Sequence, residues 1–342
     1  MNRIEQLCAA DLDERALRVE LLAQIRAWVP CDAYAWLRTD PESCVGSAPL
    51  AETPSRADLP TLIRLKYLTV TNRWTSLGSG AAATLADTTC GDRSESRVWA
   101  ELLSGYGIDD VASIVFRDHY GCWGFLDLWR SGGSFTVRER DVLGRIALAV
   151  TPALRRSLLA TFEPGATDVA RHEPVVLLLS DDLRTVTQTA HTDEYLRALL
   201  PTAADRAPVP AGAYNVAAQL LAQEQLIDSH PPWVRVHLRG GMWVTLRAAR
   251  MTAALASGGS SIAVTIEPTP PSERAALYAR VSGLSGRETE LLGHLIGGSD
   301  TAELARRMFV SAHTVQDHLK AIFAKTGAKN RRVLVARATG AG

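Results

Sequence analysis

The clearest pattern of apolar and polar positions lies near the carboxyl end of the chain. From Val315 the apolar residues Leu319, Ile322 and Phe323 follow at four, seven and eight residues, the spacing of one face of an α-helix. The opposite face and its flanks carry polar or small side chains: His313, Thr314, Gln316, Asp317, Lys320 and Ala324. The pattern therefore predicts a helix that buries one side and leaves a polar side with little bulk.

This helix has recognisable limits, and a shorter helix precedes it. Ser311 is suited to cap its start, and Gly327 suits the left-handed residue past its end. Upstream, Asp300 can cap a helix over 301–308, and only two residues separate the two helices. Two short helices joined so tightly predict a helix-turn-helix over about 301–326, whose second helix fits the major groove of DNA.

Two further helices complete a predicted all-α domain over 284–342. Ser285 and Glu288 have the spacing of a capping box, followed by a stripe of leucine and isoleucine that ends at Gly297. A last helix begins at about Arg331. The pattern predicts four helices around one small core.

The residues of this domain resemble the C-terminal domain of LuxR-type transcriptional regulators. The resemblance is carried by Leu284-Ser-Gly-Arg-Glu-Thr-Glu-Leu-Leu292, Gly298-Ser-Asp-Thr-Ala-Glu-Leu-Ala305, Val310-Ser-Ala-His-Thr-Val315 and His318. It implies a DNA-binding domain that works as a dimer on a two-fold-related site. Relatives touch DNA at the position that Lys320 occupies.

One departure from the family bears on how DNA is read. The family usually carries Lys or Arg directly after Thr-Val, whereas this chain has Gln316 and Asp317. Gln can pair with adenine and Asp can accept from cytosine, each contributing roughly 1–3 kcal/mol of discrimination. The candidate DNA-contacting residues are Ser311, His313, Thr314, Gln316, Asp317, Lys320, Lys325 and Arg331.

Charge supports this interpretation only modestly. Residues 284–342 hold nine Lys or Arg against five Asp or Glu, a net +4, while the whole chain has a formal net charge of zero. So small an excess of positive charge predicts that the affinity for DNA varies only weakly with salt concentration and depends on dimerisation. The alternative is that these cations are only a solvated surface.

The first region, 1–162, has the pattern of helices and strands of a mixed domain. Its predicted elements are a helix over 11–28, a strand over 32–39, an irregular stretch over 40–59, a hairpin of 111–116 and 122–129, and a long helix opened by Thr136 and Glu139. This order resembles a GAF domain, an antiparallel sheet with helices packed against it, and GAF domains commonly hold a small ligand or pack into dimers. The stripe from Leu143 to Leu154 fits either a two-stranded seam or packing on its own sheet.

Aromatic residues are concentrated in this first region. Trp36, Trp74 and Trp123 are candidates for the lining of a small-molecule pocket. Packing in the core is the alternative, because large aromatic side chains normally serve that purpose.

The middle of the chain predicts a second sheet. A linker rich in Pro and Gly spans 163–173, and strictly alternating strands with two intervening helices occupy 174–271. Strands, helices, then strands resemble a PAS-like sensor domain. A connector helix over 272–283 then either transmits a change in the dimer to the last domain or merely tethers it. The predicted fold class is multidomain α+β: two antiparallel-sheet sensor domains followed by an all-α four-helix domain.

Length and composition limit the classes of protein that remain. A chain of 342 residues fits three domains of ordinary size, and 46% hydrophobic with 22% charged residues is a globular composition. No apolar run approaches the roughly 18 residues of a membrane span, and acidic residues interrupt any signal-peptide core. We therefore predict a cytoplasmic protein. The five cysteines lack a Cys-x-x-Cys pair, so free thiols are expected, with a redox role for Cys31 or Cys122 as the less favoured alternative.

The motifs of common enzyme classes do not occur. The chain has no Gly-x-Ser-x-Gly elbow, no phosphate-binding P-loop and no His-Glu-x-x-His helix, so no catalytic role, cofactor or metal is predicted. The predicted function is a DNA-binding, homodimeric transcriptional regulator with a possible small-molecule ligand in the GAF-like domain. The alternative is a protein-interaction module whose degenerate helix-turn-helix docks a partner instead of DNA. A third, remoter alternative is an enzyme regulated by the two sensor domains.

Overall fold

A computed structural model describes five stretches of the chain, which form two compact units. The described residues are 1–163, 173–201, 205–238, 242–251 and 261–340, so the interior of the predicted linker lies outside them. The first unit comprises Met1–Leu154, Glu173–Val236 and Val244–Glu267, and the second comprises Arg155–His172, His237–Trp243 and Pro268–Gly342. The sequence assigns a domain to each predicted sheet, whereas the structure brings both sheets largely into the first unit.

The first 160 residues build one five-stranded sheet with flanking helices. Its elements are α1 (Asn2–Ala9), α2 (Glu14–Trp28), β1 (Ala33–Thr39), β2 (Gly46–Glu52), α3 (Leu59–Leu68), β3 (Ala82–Thr84), α4 (Leu85–Thr88), α5 (Arg97–Glu101), β4 (Asp110–Asp118), β5 (Gly121–Arg130) and α6 (Val137–Ala160). The strand order is β2-β1-β5-β4-β3, and all the neighbouring strands pair antiparallel. The predicted hairpin is therefore confirmed as β4 and β5.

Two sequence predictions in this region are wrong. The stretch 40–59 was predicted to be irregular, yet it contains β2, which pairs with β1 through a bulge near Pro49. Proline is tolerated there because β2 is an edge strand and a bulge needs no amide donor. The opening helix begins at Glu14 rather than at residue 11, since Asp13 accepts a hydrogen bond from the Ala16 amide and caps it.

Helix α6 has the predicted cap and the predicted buried stripe. The Thr136 amide donates to Glu139 Oε2 at 2.8 Å and the Glu139 amide donates to Thr136 Oγ1 at 3.2 Å. Leu143, Ile146 and Val150 are each fully buried within the chain. Because this stripe is already covered, it is not available as a two-stranded seam.

The second sheet repeats the strand order of the first. Its elements are β6 (Val175–Leu179), β7 (Thr185–Gln188), α7 (Thr192–Leu199), α8 (Ala211–Glu224), β8 (Trp233–His237), β9 (Trp243–Met251) and β10 (Ser261–Pro268). The order is β7-β6-β10-β9-β8, and β6 pairs antiparallel with β7 and with β10. Counted from its own start, each sheet reads second, first, fifth, fourth, third. The two sheets thus share one architecture.

The two sheet regions meet through packed helices and buried ion pairs. Helix α8 packs on α3 and on β2. Arg235 Nε lies 2.7 Å from Asp40 Oδ2, and Arg73 Nε lies 2.7 Å from Asp228 Oδ2, with all four side chains at most 3% exposed. These contacts explain why the two sheets belong to one unit.

The second unit is built mainly from helices. These are α9 (Pro271–Val281), α10 (Gly286–Ile296), α11 (Thr301–Arg307), α12 (Ala312–Thr326) and α13 (Arg331–Thr339). Helix α9, the predicted connector, packs against α13 and α10. Phe162 stacks on Trp243 at 4.9 Å between ring centroids and lies 5.1 Å from the Tyr278 ring. The connector is therefore part of the core of this unit rather than a free tether.

All five cysteines are free thiols, as the composition predicts. Across the described stretches, each helix is too short or too polar to span a lipid bilayer.

Candidate nucleic-acid interface and ligand cavity

Local sequence signals fix both ends of α12 and its inner face. Ser311 Oγ accepts a hydrogen bond from the Thr314 amide at 3.1 Å, and Gly327 has a left-handed φ of 64° after the last turn. Val315, Leu319 and Ile322 are at most 2% exposed. Helix α11 is capped in the same way by Asp300, whose Oδ1 accepts from the Glu303 amide. The predicted helix-turn-helix is therefore present, with its apolar stripe turned inward.

The opposite face of α12 is open to solvent. The side chains of His313, Asp317 and Lys320 are 85%, 54% and 76% exposed, and Gln316 is also exposed. Asp317 Oδ2 lies 3.5 Å from His313 Nε2, and Asp317 Oδ1 lies 3.7 Å from Lys320 Nζ. The Lys320 ammonium beside Asp317 partly offsets the repulsion that this carboxylate would exert on a phosphate.

Lys325, a predicted DNA-contacting residue, forms an ion pair within the domain while its side chain stays 38% exposed. Its Nζ lies 2.6 Å from Glu288 Oε2, which also accepts a hydrogen bond from the Ser285 amide at 2.6 Å. Burial alone would raise the pKa of the Glu288 carboxyl, but the hydrogen bonds from Lys325 and Ser285 lower that pKa below its ordinary value. Lys325 therefore ties the end of α12 to the start of α10.

Arg331 also makes a contact within the domain. Its Nη2 donates a hydrogen bond to Thr301 Oγ1 at 2.7 Å, which joins the start of α13 to the start of α11. The structure thus separates the eight candidate residues into two groups. Lys325 and Arg331 make contacts within the domain. The other six lie on α12 or directly before it: Ser311, His313, Thr314, Gln316, Asp317 and Lys320.

Sequence reasoning gave no role to Phe309, the residue in the turn between α11 and α12. Its side chain is 94% exposed and its backbone is left-handed, with φ at 55°. The sequence could have indicated this residue, because a large aromatic side chain lies in the turn between the two helices and belongs to neither apolar stripe. Because it lies fully open between the two helices, this ring is available for contact with a partner.

A cavity of about 500 Å³ lies in the first unit. Phe125, Asp127 and Trp129 alternate along β5 and line one wall, and Leu62 and Lys66 of α3 also line the cavity. Its volume falls within the range of small-molecule sites, which are mostly apolar with a few polar groups. The first unit therefore contains a formed candidate ligand site.

The three tryptophans predicted to line a pocket lie elsewhere in the core. Trp36 stacks on Phe116 at 5.0 Å and Trp74 stacks on Phe125 at 4.5 Å. Trp123 is buried, and its Nε1 donates a hydrogen bond to Asp118 Oδ1 at 2.9 Å. The cavity is lined by Trp129 and by none of these three residues. The sequence signal for this cavity was Asp127, a charged residue between the aromatic positions Phe125 and Trp129 of one predicted strand, and it was missed.

Comparison with known proteins identifies a family for one part of the chain. Residues 282–338 match the family model described as bacterial regulatory proteins, luxR family, which confirms the LuxR-type prediction for this domain. No curated protein sequence matches the chain significantly. A crystal structure of Escherichia coli SdiA is similar over 97% of this chain and 93% of that chain, with 14% identity and a TM-score of 0.35.

Proposed function

We propose that the protein is a transcriptional regulator that places α12 in the major groove of DNA. The observation that carries this proposal is the uncovered polar face of α12, inside a domain that matches the luxR family. A helix with a buried apolar stripe and a face of low bulk has the shape that a groove about 12 Å wide admits.

The residues on that face suggest how bases are read. Gln316 has a donor and an acceptor at its end and can bind the N6 and N7 edge of adenine. Asp317 can accept from the amino group of cytosine, while Lys320 meets a phosphate or a guanine. Since few cations lie free on this domain, we expect a homodimer on a two-fold-related site to supply the remaining affinity.

The first unit is proposed to control this activity in the cytoplasm. Two sheets of identical strand order support two sensor regions, which we interpret as GAF-like and PAS-like. The cavity supports the binding of a small molecule as the controlling event. We expect no enzymatic activity, because the sequence contains none of the catalytic motifs considered above.

Selection of bound sequences from random double-stranded DNA with the full chain tests the proposal. We expect one enriched site with two related halves, and loss of its enrichment in Lys320→Ala. Arg287→Ala removes the same charge from an exposed side chain outside α12 and serves as the matched control. Gln316→Ala should relax the preference at one base pair per half-site, at a cost of roughly 1–3 kcal/mol.

Docking of a protein partner is the alternative function, and the exposed ring of Phe309 favours it. If α12 served only docking, random DNA would yield no enriched site, and that result would overturn the regulator. Phe309→Ser separates the two functions further. A regulator should keep its DNA site in this variant, whereas a docking module should lose its partner.

A further inference from the structure

The cavity of the first unit contains a buried polar group without a partner. Asn215 of α8 lines the cavity and is 1% exposed. Among the residues that the structure describes, none accepts a hydrogen bond from its Nδ2. A buried donor left unsatisfied is unfavourable, so a ligand that supplies an acceptor would be stabilised there.

The charged residues of the cavity are predominantly cationic. Its lining holds four cationic side chains, Arg15, Arg56, Lys66 and Arg206, against the single carboxylate of Asp127. That carboxylate is already neutralised, since its Oδ2 lies 2.7 Å from Lys66 Nζ and its Oδ1 accepts from Ser113 Oγ at 2.7 Å.

The three arginines remain available to a ligand. Within the described stretches, no ion pair involves the side chain of Arg15, Arg56 or Arg206. All three side chains are solvent-exposed residues that also line the cavity, which places positive charge at its mouth. Guanidinium groups bind carboxylates through paired, charge-assisted hydrogen bonds.

Most of the remaining surface of the cavity is apolar. Leu37 and Leu50 contribute from the sheet, Leu62 and Ile63 contribute from α3, and Trp129 adds an aromatic face. An apolar interior below a cationic mouth is complementary to a molecule with an apolar body and an acidic end.

We propose that this cavity binds an amphipathic organic acid, a carboxylate carried on an apolar body. The acid meets Arg56 and Arg206, the apolar body lies against the sheet and α3, and Asn215 Nδ2 donates to a ligand oxygen. The inference rests on the proposed sensor function and names the class of molecule that is sensed. Because Arg206 and Asn215 belong to the second sheet region, the ligand would join that region to the first sheet.

Isothermal titration calorimetry on the full chain with matched probes tests this proposal. Sodium decanoate and decanamide share an apolar chain and differ in charge, and decyltrimethylammonium reverses the charge. We expect decanoate to bind roughly tenfold or more tightly than decanamide, because charge-assisted hydrogen bonds are lost in the amide. The ammonium probe should not bind. Sodium 2-naphthoate distinguishes an aromatic body from an alkyl one.

Binding measurements on variants test whether these residues hold the ligand. Arg56→Gln with Arg206→Gln should bring the affinity for decanoate down to that for decanamide, without unfolding, because both side chains are exposed. Asn215→Leu should weaken both probes. Arg138→Gln removes an exposed arginine that does not line the cavity and should change nothing.

Three results would overturn the proposal. These are equal binding of decanoate and decanamide, unchanged decanoate binding in the double arginine variant, and the absence of binding by both carboxylates. DNA selection without any probe is independent of all three. A chain that selects a DNA site but binds no carboxylate would therefore refute the ligand class and leave the regulator standing.

Discussion

Replacing Arg235 with methionine removes one partner of a buried ion pair that joins the two sheet regions. Arg235 Nε donates to Asp40 Oδ2 at 2.7 Å and Nη2 donates to Asp40 Oδ1 at 2.9 Å, a two-point contact. The arginine side chain is 2% exposed and the aspartate is fully buried. Methionine keeps much of the apolar stem but leaves the carboxylate without its cation.

The expected cost follows from these contacts. Two hydrogen bonds to a charged group contribute about 1.5–3 kcal/mol each, and breaking a buried pair typically costs about 3–5 kcal/mol. Asp40 retains three backbone donors, the amides of Glu42, Ser43 and Arg235, at 3.0, 3.4 and 3.2 Å. We therefore expect the lower end of the range, about 3 kcal/mol.

Urea unfolding of the full chain measures this cost. We follow far-UV circular dichroism and tryptophan fluorescence together, and with a slope near 3 kcal/mol per molar the midpoint should fall by about 1 M. Because the pair joins the two sheet regions, both probes should shift together for the first unit. The double variant Arg235→Met with Asp40→Asn removes both charges and should lie within about 1 kcal/mol of the wild type.

Two results would refute this reasoning. A midpoint unchanged in Arg235→Met would mean that the ion pair contributes nothing beyond its desolvation cost. A double variant as unstable as the single one would mean that lost packing, rather than an uncompensated charge, causes the effect.

Three further predictions concern other parts of the chain. The hydrogen bond from Arg130 lowers the pKa of Glu139 to about 2, so Glu139→Gln should cost at most about 3 kcal/mol in urea at pH 7. That difference is fully present above the unfolded pKa near 4.5 and should vanish as pH falls towards 2; a difference that persists at pH 2 would contradict it. Leu319→Ala should destabilise the second unit by about 2–5 kcal/mol in thermal unfolding, whereas Lys320→Ala should leave its stability unchanged; equal effects would contradict the inward orientation of the stripe. Among the described residues of the last domain, four exposed cations are free or weakly paired: Arg306, Lys320, Lys329 and Arg332. At about 0.9 each, a plot of the logarithm of DNA affinity against the logarithm of salt concentration should have a slope no steeper than about −4 per chain; a steeper slope in filter binding would show that the internally bonded cations also reach phosphate.

Local signals predicted the helical domain well because they act over a few residues. The caps at Ser285, Asp300 and Ser311 and the left-handed Gly327 all occur where the sequence placed them. Each depends on a side chain that satisfies a backbone group within three or four positions. The apolar stripes are equally local, so the bounds of α10 to α13 followed with little error.

The strands of the first sheet were less predictable where they broke the usual pattern. Strand β2 contains Gly46 and Pro49 with small residues between them, a composition that favours a loop. It forms a strand because β1 offers an edge for pairing, and this edge exists only once the sheet has assembled. Tertiary context thus overrides a weak local preference.

The sequence could not predict which polar residues pair when they lie far apart along the chain. Asp40 and Arg235 are 195 residues apart, and no periodicity links one to the other. The cavity has the same origin, because β5, α3 and α8 each contribute residues whose spacing is ordinary for its own element. The tryptophans were chosen for size alone, and size favours the core over a cavity wall.

The polar residues around α12 divide into those that build the domain and those that remain free for a ligand. Lys325 is bonded to Glu288 at 2.6 Å and Arg331 to Thr301 at 2.7 Å, so releasing either to DNA would break a contact that holds two helices together. Gln316 and Lys320 make no such contribution to the domain core, and replacing them leaves its packing intact. On the proposed function, recognition draws on base edges and on a second copy of the chain more than on phosphate attraction. We propose that such a regulator depends on how the two copies of α12 are spaced, and that α9, which packs against α13 and α10, controls that spacing.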